Sequence, residues 1–274
     1  MTKIEWTDET WNPVTGCTKV SAGCANCYAE RMARRLAGRY GYPEAPHHFD
    51  VTVHKNRLWH PPIGRKPRRI FVCSMSDIAH PDVRDAIIDQ CTRHMAFSCP
   101  EHQWLVLTKR PSRLRKLWAD RDPIPNLWVG VTVENRDTVW RIDELMRIPA
   151  AVRFVSFEPL LDDVAVALEP GHEGIDWAIA GGESGPGARP MHPDWARSLR
   201  DQAQAAGVPF FFKQWGAWSS ESVAGLWSGI DSPPTNIELV DGGGSAQNYQ
   251  WMARVGKKAA GRLLDGREWN EMPC

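Results

Sequence analysis

Six short apolar runs, each followed at once by polar or charged residues, set the limits on what this 274-residue chain can fold into. They cover residues 69–74, 104–108, 127–133, 152–157, 176–181 and 208–213. Runs of this length, rich in Val, Ile, Leu, Phe and Trp, read as strands buried on both faces. Helical stretches near 82–97, 112–119, 137–147 and 193–206 lie between them. Asp82 and Asp137 suit an N-cap or first turn, and Gly207 suits a helix stop. The connection over 158–175 is less helical. Strand–helix alternation implies parallel strands joined by right-handed crossovers. With an earlier run at 9–15 there are about seven strands, which predicts an α/β fold, a partial or full parallel (β/α) barrel. Residues 1–215 make up that barrel, with a proline-rich basic insertion at 40–69. Residues 216–274 differ in character: Gly/Ser-rich stretches, a hairpin and a short basic helix form a small C-terminal cap.

In such barrels the C-terminal ends of the strands form the active rim. Here those ends carry Ser74, Ser76 and Asp77, then Lys109 and Arg110, Glu134, Glu158, Gly181-Gly182-Glu183, and Lys213. A loop explains serine and asparagine at these places. A charge directly after a buried strand demands a partner, either a ligand or another side chain. Lys109, Arg110 and Lys213 suit a carboxylate or phosphate. Glu134 and Glu158 suit ribose hydroxyls, and Gly181 and Gly182 permit close approach of a ligand. Lys109, Glu134 and Lys213 are the candidates for chemistry. A structural salt bridge is an equal alternative for each. His192, in a Pro-rich turn, reads as a helix-entry residue.

Three of the seven cysteines fall together: Cys17, Cys24 and Cys27, spaced C-x6-C-x2-C after the first strand. Thiolates are the usual protein ligands of iron–sulfur clusters, and three of them on a four-iron cluster leave one iron open. A closed zinc site uses four ligands, and no fourth stands in this stretch. A disulfide framework belongs to small secreted domains. Gly16 and Gly23 let the backbone turn tightly, and Cys27 precedes a helix over 28–39, where the dipole favours a thiolate. Cys73, Cys91 and Cys99 lie in or near apolar segments and read as buried thiols; Cys274 ends the sequence.

The cysteine loop resembles the cluster loop of the radical S-adenosylmethionine (SAM) superfamily, with a longer first gap and with its aromatic, Tyr28, after the last cysteine. The resemblance implies a [4Fe–4S] cluster on Cys17, Cys24 and Cys27, SAM on the open iron, and hydrogen abstraction from a substrate by a 5′-deoxyadenosyl radical. It places Tyr28, Ser74, Ser76, Asp77, Glu158, Gly181, Gly182 and Glu183 as candidate SAM contacts. Gly181-Gly182-Glu183 is similar to the superfamily's glycine-glycine-glutamate element, which there follows the second strand rather than the sixth. An electron donor such as flavodoxin or ferredoxin is implied as well. The opening from Trp6 to Cys17 and the ending from Val255 to Arg267 are similar to a phage- and prophage-borne family of unknown function.

Lys+Arg and Asp+Glu both number 33, so any attraction to nucleic acid is local. Two basic segments offer it: 54–69, with Lys55, Arg57, Arg65, Lys66, Arg68 and Arg69, and 257–267. With the interleaved aromatics they favour a nucleic acid or nucleotide as substrate, in modification or repair. A small-molecule substrate, or a zinc- or cluster-stabilised module that binds nucleic acid or protein without catalysis, is the alternative. The absence of a long apolar run or signal-peptide pattern predicts a cytoplasmic protein without a membrane span. Nothing in the sequence sets the oligomeric state.

Overall fold

The strands follow the apolar runs to within a residue or two. The computed structural model describes residues 4–62, 66–164, 174–220, 237–243 and 248–273. The first run breaks into β1 (Glu9–Trp11) and β2 (Val14–Thr15). Asn12-Pro13 lies at the break, where proline offers no N–H to a ladder. β3 (Thr52–Val53) pairs antiparallel with β2. There follow β4 (Arg69–Val72), β5 (Gln103–Thr108), β6 (Leu127–Thr132), β7 (Val152–Phe157), β8 (Trp177–Gly181) and β9 (Phe210–Gln214). Every residue of β6 and of β8 is buried, as continuous apolar runs require.

One sheet takes these strands in the order β1-β4-β5-β6-β7-β8-β9. β1 with β4, β4 with β5, β5 with β6, and β8 with β9 pair in parallel. Chain-order neighbours in a parallel sheet need a crossover at each step. This is the topology of a (β/α) barrel, and β1 and β9 stand at opposite ends of the order, so the barrel is partial. The helices are α1 (Tyr28–Leu36), α2 (Lys55–Trp59), α3 (Asp85–Arg93), α4 (Pro111–Trp118), α5 (Trp140–Met146) and α6 (Pro193–Ala205). Asp82 does not cap α3: residues 77–83 form successive tight turns, and Arg84 holds the N-cap position. Gly207 follows α6 with φ +67°, a left-handed stop that suits glycine. His192 is the N-cap of α6, its Nδ1 accepting from the Asp194 N–H at 3.1 Å.

Contacts divide the chain into two units, residues 1–132 with 143–154, and residues 133–142 with 155–274. In the first, a Cβ at Gly130 would lie 2.4 Å from the Phe154 ring, so glycine in β6 is what lets that ring pack. The Trp6 ring packs tilted against Phe71, their centroids 4.9 Å apart. In the second unit, β10 (Trp218–Ser219), β11 (Ile237–Asp241) and β12 (Tyr249–Arg254) form an antiparallel sheet, followed by α7 (Lys257–Ala260). The segment after residue 215 shares this unit with β8, α6 and β9 rather than standing alone. Its last residues return to β9: the Phe212 N–H donates to Trp269 O at 3.0 Å, and Phe211 bridges Asn270 antiparallel. The edge of β9 is thus covered by the chain's own tail, which blocks pairing with another chain. Much of the Gly/Ser-rich stretch at 219–232, Arg65 and Cys274 lie outside the described residues.

Candidate functional site

The cysteine loop is tied down at both ends. The Gly16 N–H donates to Met75 O at 2.9 Å, and the Ser76 hydroxyl donates to Gly16 O at 2.6 Å, joining the loop to the segment after β4. Gly16 has φ +85°, and a Cβ there would lie 2.2 Å from Asp50 O. Only glycine fits that close approach. The Cys17 N–H donates to Phe49 O at 3.1 Å, so the 40–69 insertion is a floor for the cysteine loop. Cys24 ends a short 3-10 turn, and Cys27 holds the N-cap position of α1. Behind Cys27, Ala29, Ala33, Tyr42 and Met75 form a small apolar core.

All three cysteines are free thiols, Cys24 buried and the others half-buried. Burial pushes the Cys17 thiol up, against the Arg110 cation beside it, which pulls it down. Among the described residues no three His, Cys, Asp or Glu side chains converge on one ion. A [4Fe–4S] cluster takes one thiolate on each of three irons and leaves the fourth iron open. By donor chemistry the trio fits a [4Fe–4S] cluster with one open position.

Beside the loop stands Asp77, 5% exposed. Its Oδ1 accepts from Thr108 Oγ1 at 2.7 Å and Ala79 N at 2.9 Å; its Oδ2 accepts from Lys109 N at 3.0 Å and Arg110 Nη1 at 3.1 Å. Those four bonds fill the acceptor capacity of a carboxylate. Arg110 also donates from Nη1 to Cys17 Sγ at 3.4 Å, and from Nη2 to Thr18 O and Oγ1, both at 2.9 Å. His80 Nδ1 accepts from the Asp82 N–H, so Nε2 is free to donate to Thr18 Oγ1 at 2.8 Å. Burial, with Arg110 nearby, pulls His80 down and favours this neutral form. The Ser74 hydroxyl donates to Asn12 Oδ1 at 3.2 Å. Ser74, Ser76 and Asp77 therefore direct these donors and acceptors inward, to hold the loop. Lys109 serves Asp77 through its backbone N–H. Tyr28 is 59% exposed on the first turn of α1.

The second unit holds the remaining candidates as ion pairs. Glu134 is 0% exposed, and its Oε2 accepts from Arg141 Nη1 at 2.9 Å. Glu158 Oε1 lies 2.9 Å from Lys213 Nζ, and its Oε2 accepts from Ser156 Oγ at 3.1 Å. Glu183 accepts from Arg189 three times, from N and Nε at 2.9 Å and from Nη2 at 2.8 Å. Gly181 and Gly182 were expected to admit a ligand, and their space is otherwise used. A Cβ at Gly181 would meet Glu158 Oε1 at 2.8 Å, and one at Gly182 would meet Trp215 O at 2.0 Å.

The basic segments are also largely engaged. Arg57 donates to Asn12 O and Tyr40 O; Arg68 pairs with Glu9, and Arg69 with Asp8. In the tail, Arg267 lies 4.1 Å over the Trp269 ring, while Lys257 and Lys258 are exposed. Arg110 forms the structural ion pair that is the alternative to anion binding for a strand-end charge, and its partners Thr18 and His80, like Arg141 and Arg189 beside the glutamates, carry no motif in the sequence. The signal available was local for Glu183 and Arg189, six residues apart. It was absent for Asp77 and Arg110, which meet across the ends of β4 and β5.

No helix among the described residues is long and apolar enough to cross a membrane. No curated protein matches the chain. Among solved structures it is similar to three variants of spore photoproduct lyase, one of them titled with a dinucleoside spore photoproduct. Identities are 10%, 11% and 12% and TM-scores 0.43, 0.44 and 0.42, over 89%, 89% and 88% of this chain and 68%, 68% and 66% of theirs. At that level no residue role or substrate is carried across. The profile of one family matches residues 1–273, and the chain belongs to that family, described as "Protein of unknown function (DUF5131)".

Proposed function

We propose that the protein is a radical-SAM enzyme. The observation that carries this reading is the anchored loop after β2, with its three free thiols. Cys17, Cys24 and Cys27 would hold a [4Fe–4S] cluster. Held there and reduced, such a cluster would supply the single electron for reductive cleavage of SAM, and with it the radical chemistry that abstracts hydrogen from a substrate. Asp77 and Arg110 hold the loop, and the 40–69 insertion supports it from beneath.

SAM would meet Tyr28 and the remaining acceptor capacity of Ser74 and Ser76. Glu158 and Lys213, in the second unit, are partly open and offer one carboxylate and one ammonium to a polar ligand. The substrate is a nucleic acid or nucleotide, in modification or repair. Exposed Arg34, Arg35, Lys257 and Lys258 support it as local cations on a chain of balanced charge. A base inside a duplex would have to be flipped out to react. A phage or prophage setting, a cytoplasmic site, and flavodoxin or ferredoxin as the reductant belong to the same reading.

Anaerobic reconstitution tests it. The expected result is about four irons per chain, and 5′-deoxyadenosine formed from SAM under dithionite. Protein that takes up one zinc, stays colourless and leaves SAM intact would refute the enzyme reading and favour a binding module.

A further inference from the structure

Arg110 is held too firmly for a ligand-seeking side chain. Its side chain is 11% exposed and that of Asp77 is 7% exposed. Its guanidinium bridges three partners: the Asp77 carboxylate, the Thr18 carbonyl and hydroxyl, and the Cys17 sulfur. His80 closes the group from the far side through Thr18 Oγ1. Asp77 in turn is fixed by Thr108 Oγ1 and by the N–H groups of Ala79 and Lys109. A buried guanidinium with this much support stays where it is, pointed at one of the three sulfurs.

We infer that Arg110 is a positioning residue that sets the redox poise of a cluster bound at Cys17, with Asp77 as its anchor. The inference rests on the cluster reading above and adds a role for a residue that touches neither SAM nor substrate. An electron entering a thiolate-ligated cluster raises its negative charge. A fixed cation donating to a ligand sulfur stabilises the reduced form more than the oxidised one. The Asp77 carboxylate tempers that effect and keeps the guanidinium from swinging out. Arg110 therefore moves the potential to a less negative value, within reach of a protein reductant. Lysine at 110 keeps the charge and loses the fork, so it serves in part.

The test uses the full chain, reconstituted anaerobically, with iron content and midpoint potential read by an electron-paramagnetic-resonance titration without SAM. Arg110→Gln is expected to carry a cluster of more negative potential than the unaltered chain, with Arg110→Lys between them. Asp77→Asn, which removes the tempering carboxylate while Thr18 still holds the guanidinium, is expected to move the potential in the opposite direction to Arg110→Gln. If Arg110→Gln does not fold, the Arg110→Lys and Asp77→Asn titrations decide alone. Potentials in the loaded variants equal to that of the unaltered chain would overturn the inference and leave the cluster reading standing. An unaltered chain that takes up no iron would overturn both.

Discussion

Replacing Arg141 by methionine isolates what Glu134 is for. Glu134 is 0% exposed and the Arg141 side chain 3%, with 2.9 Å between Oε2 and Nη1. Water screens neither group, so removing the cation takes a buried counter-charge away from Glu134. Breaking a buried pair in this way costs about 3–5 kcal/mol, which at this size lowers the melting temperature by on the order of 10 °C. Removing both charges together, as Glu134→Leu with Arg141→Met, should restore most of that loss, because an apolar pair of similar volume is often neutral. Thermal melts followed by circular dichroism on the four proteins of this cycle give the coupling energy directly. A single variant that loses less than about 1 kcal/mol, or a double variant no better than the sum of its singles, would refute the view that Glu134 is a structural anchor. It would return Glu134 to the candidates for catalysis.

Cys17→Ala, Cys24→Ala and Cys27→Ala should each abolish SAM cleavage and cut the iron content, and an unaltered iron content in any one would remove that cysteine from the ligand set. Gly182→Ala places a methyl 2.0 Å from Trp215 O, a backbone atom that cannot swing aside, and should lower stability by about 1–3 kcal/mol in denaturant titration. Burial pulls His54 down to about 4, from 6.5 in the unfolded chain. The unfolded state therefore binds the proton first, and stability present above pH 6.5 should fall as the pH drops toward 4. His54→Gln should flatten that part of the melting-temperature profile, and an unchanged slope would show that other groups cause it.

What the sequence made legible was the scaffold. β6 and β8 were plain because each is a nearly unbroken apolar run, the mark of a strand buried on both faces. β1 was less plain, because Asn12-Pro13 splits the run and sends β2 to pair with the insertion. The cysteine trio was legible as a spacing. The platform beneath it was not, since the bond from the Cys17 N–H to Phe49 O joins two segments with no shared pattern. The tail along β9 was hidden for the same reason: backbone pairing at Phe212 and Trp269 leaves no periodic trace in so short a stretch.

The charges at the strand ends were legible as positions that demand a partner, and the sequence left open whether that partner is a ligand or a side chain. Asp77, Glu134, Glu158 and Glu183 each follow a strand, and each meets a cation: Arg110, Arg141, Lys213 and Arg189. Desolvation explains the pattern, since a carboxylate at the end of a buried strand needs a counter-charge whether or not a ligand is bound. Exposure then separates the four cations by what they can still do. Arg141 and Arg110, at 3% and 11%, have no route to a ligand. Lys213 and Arg189, at 20% and 36%, can turn toward an incoming carboxylate or phosphate. Lys213 holds its partner through one ammonium and a flexible stem, where the Arg189 guanidinium is fixed by two bonds to Glu183, so Lys213 is the easier to redirect. Lys213→Met should therefore raise the SAM or substrate concentration needed for half-maximal 5′-deoxyadenosine formation by about tenfold, the worth of one charge-assisted contact, and leave the iron content unchanged. A Lys213→Met protein with unaltered concentration dependence would place Lys213 with Arg141, among the groups that only hold the fold.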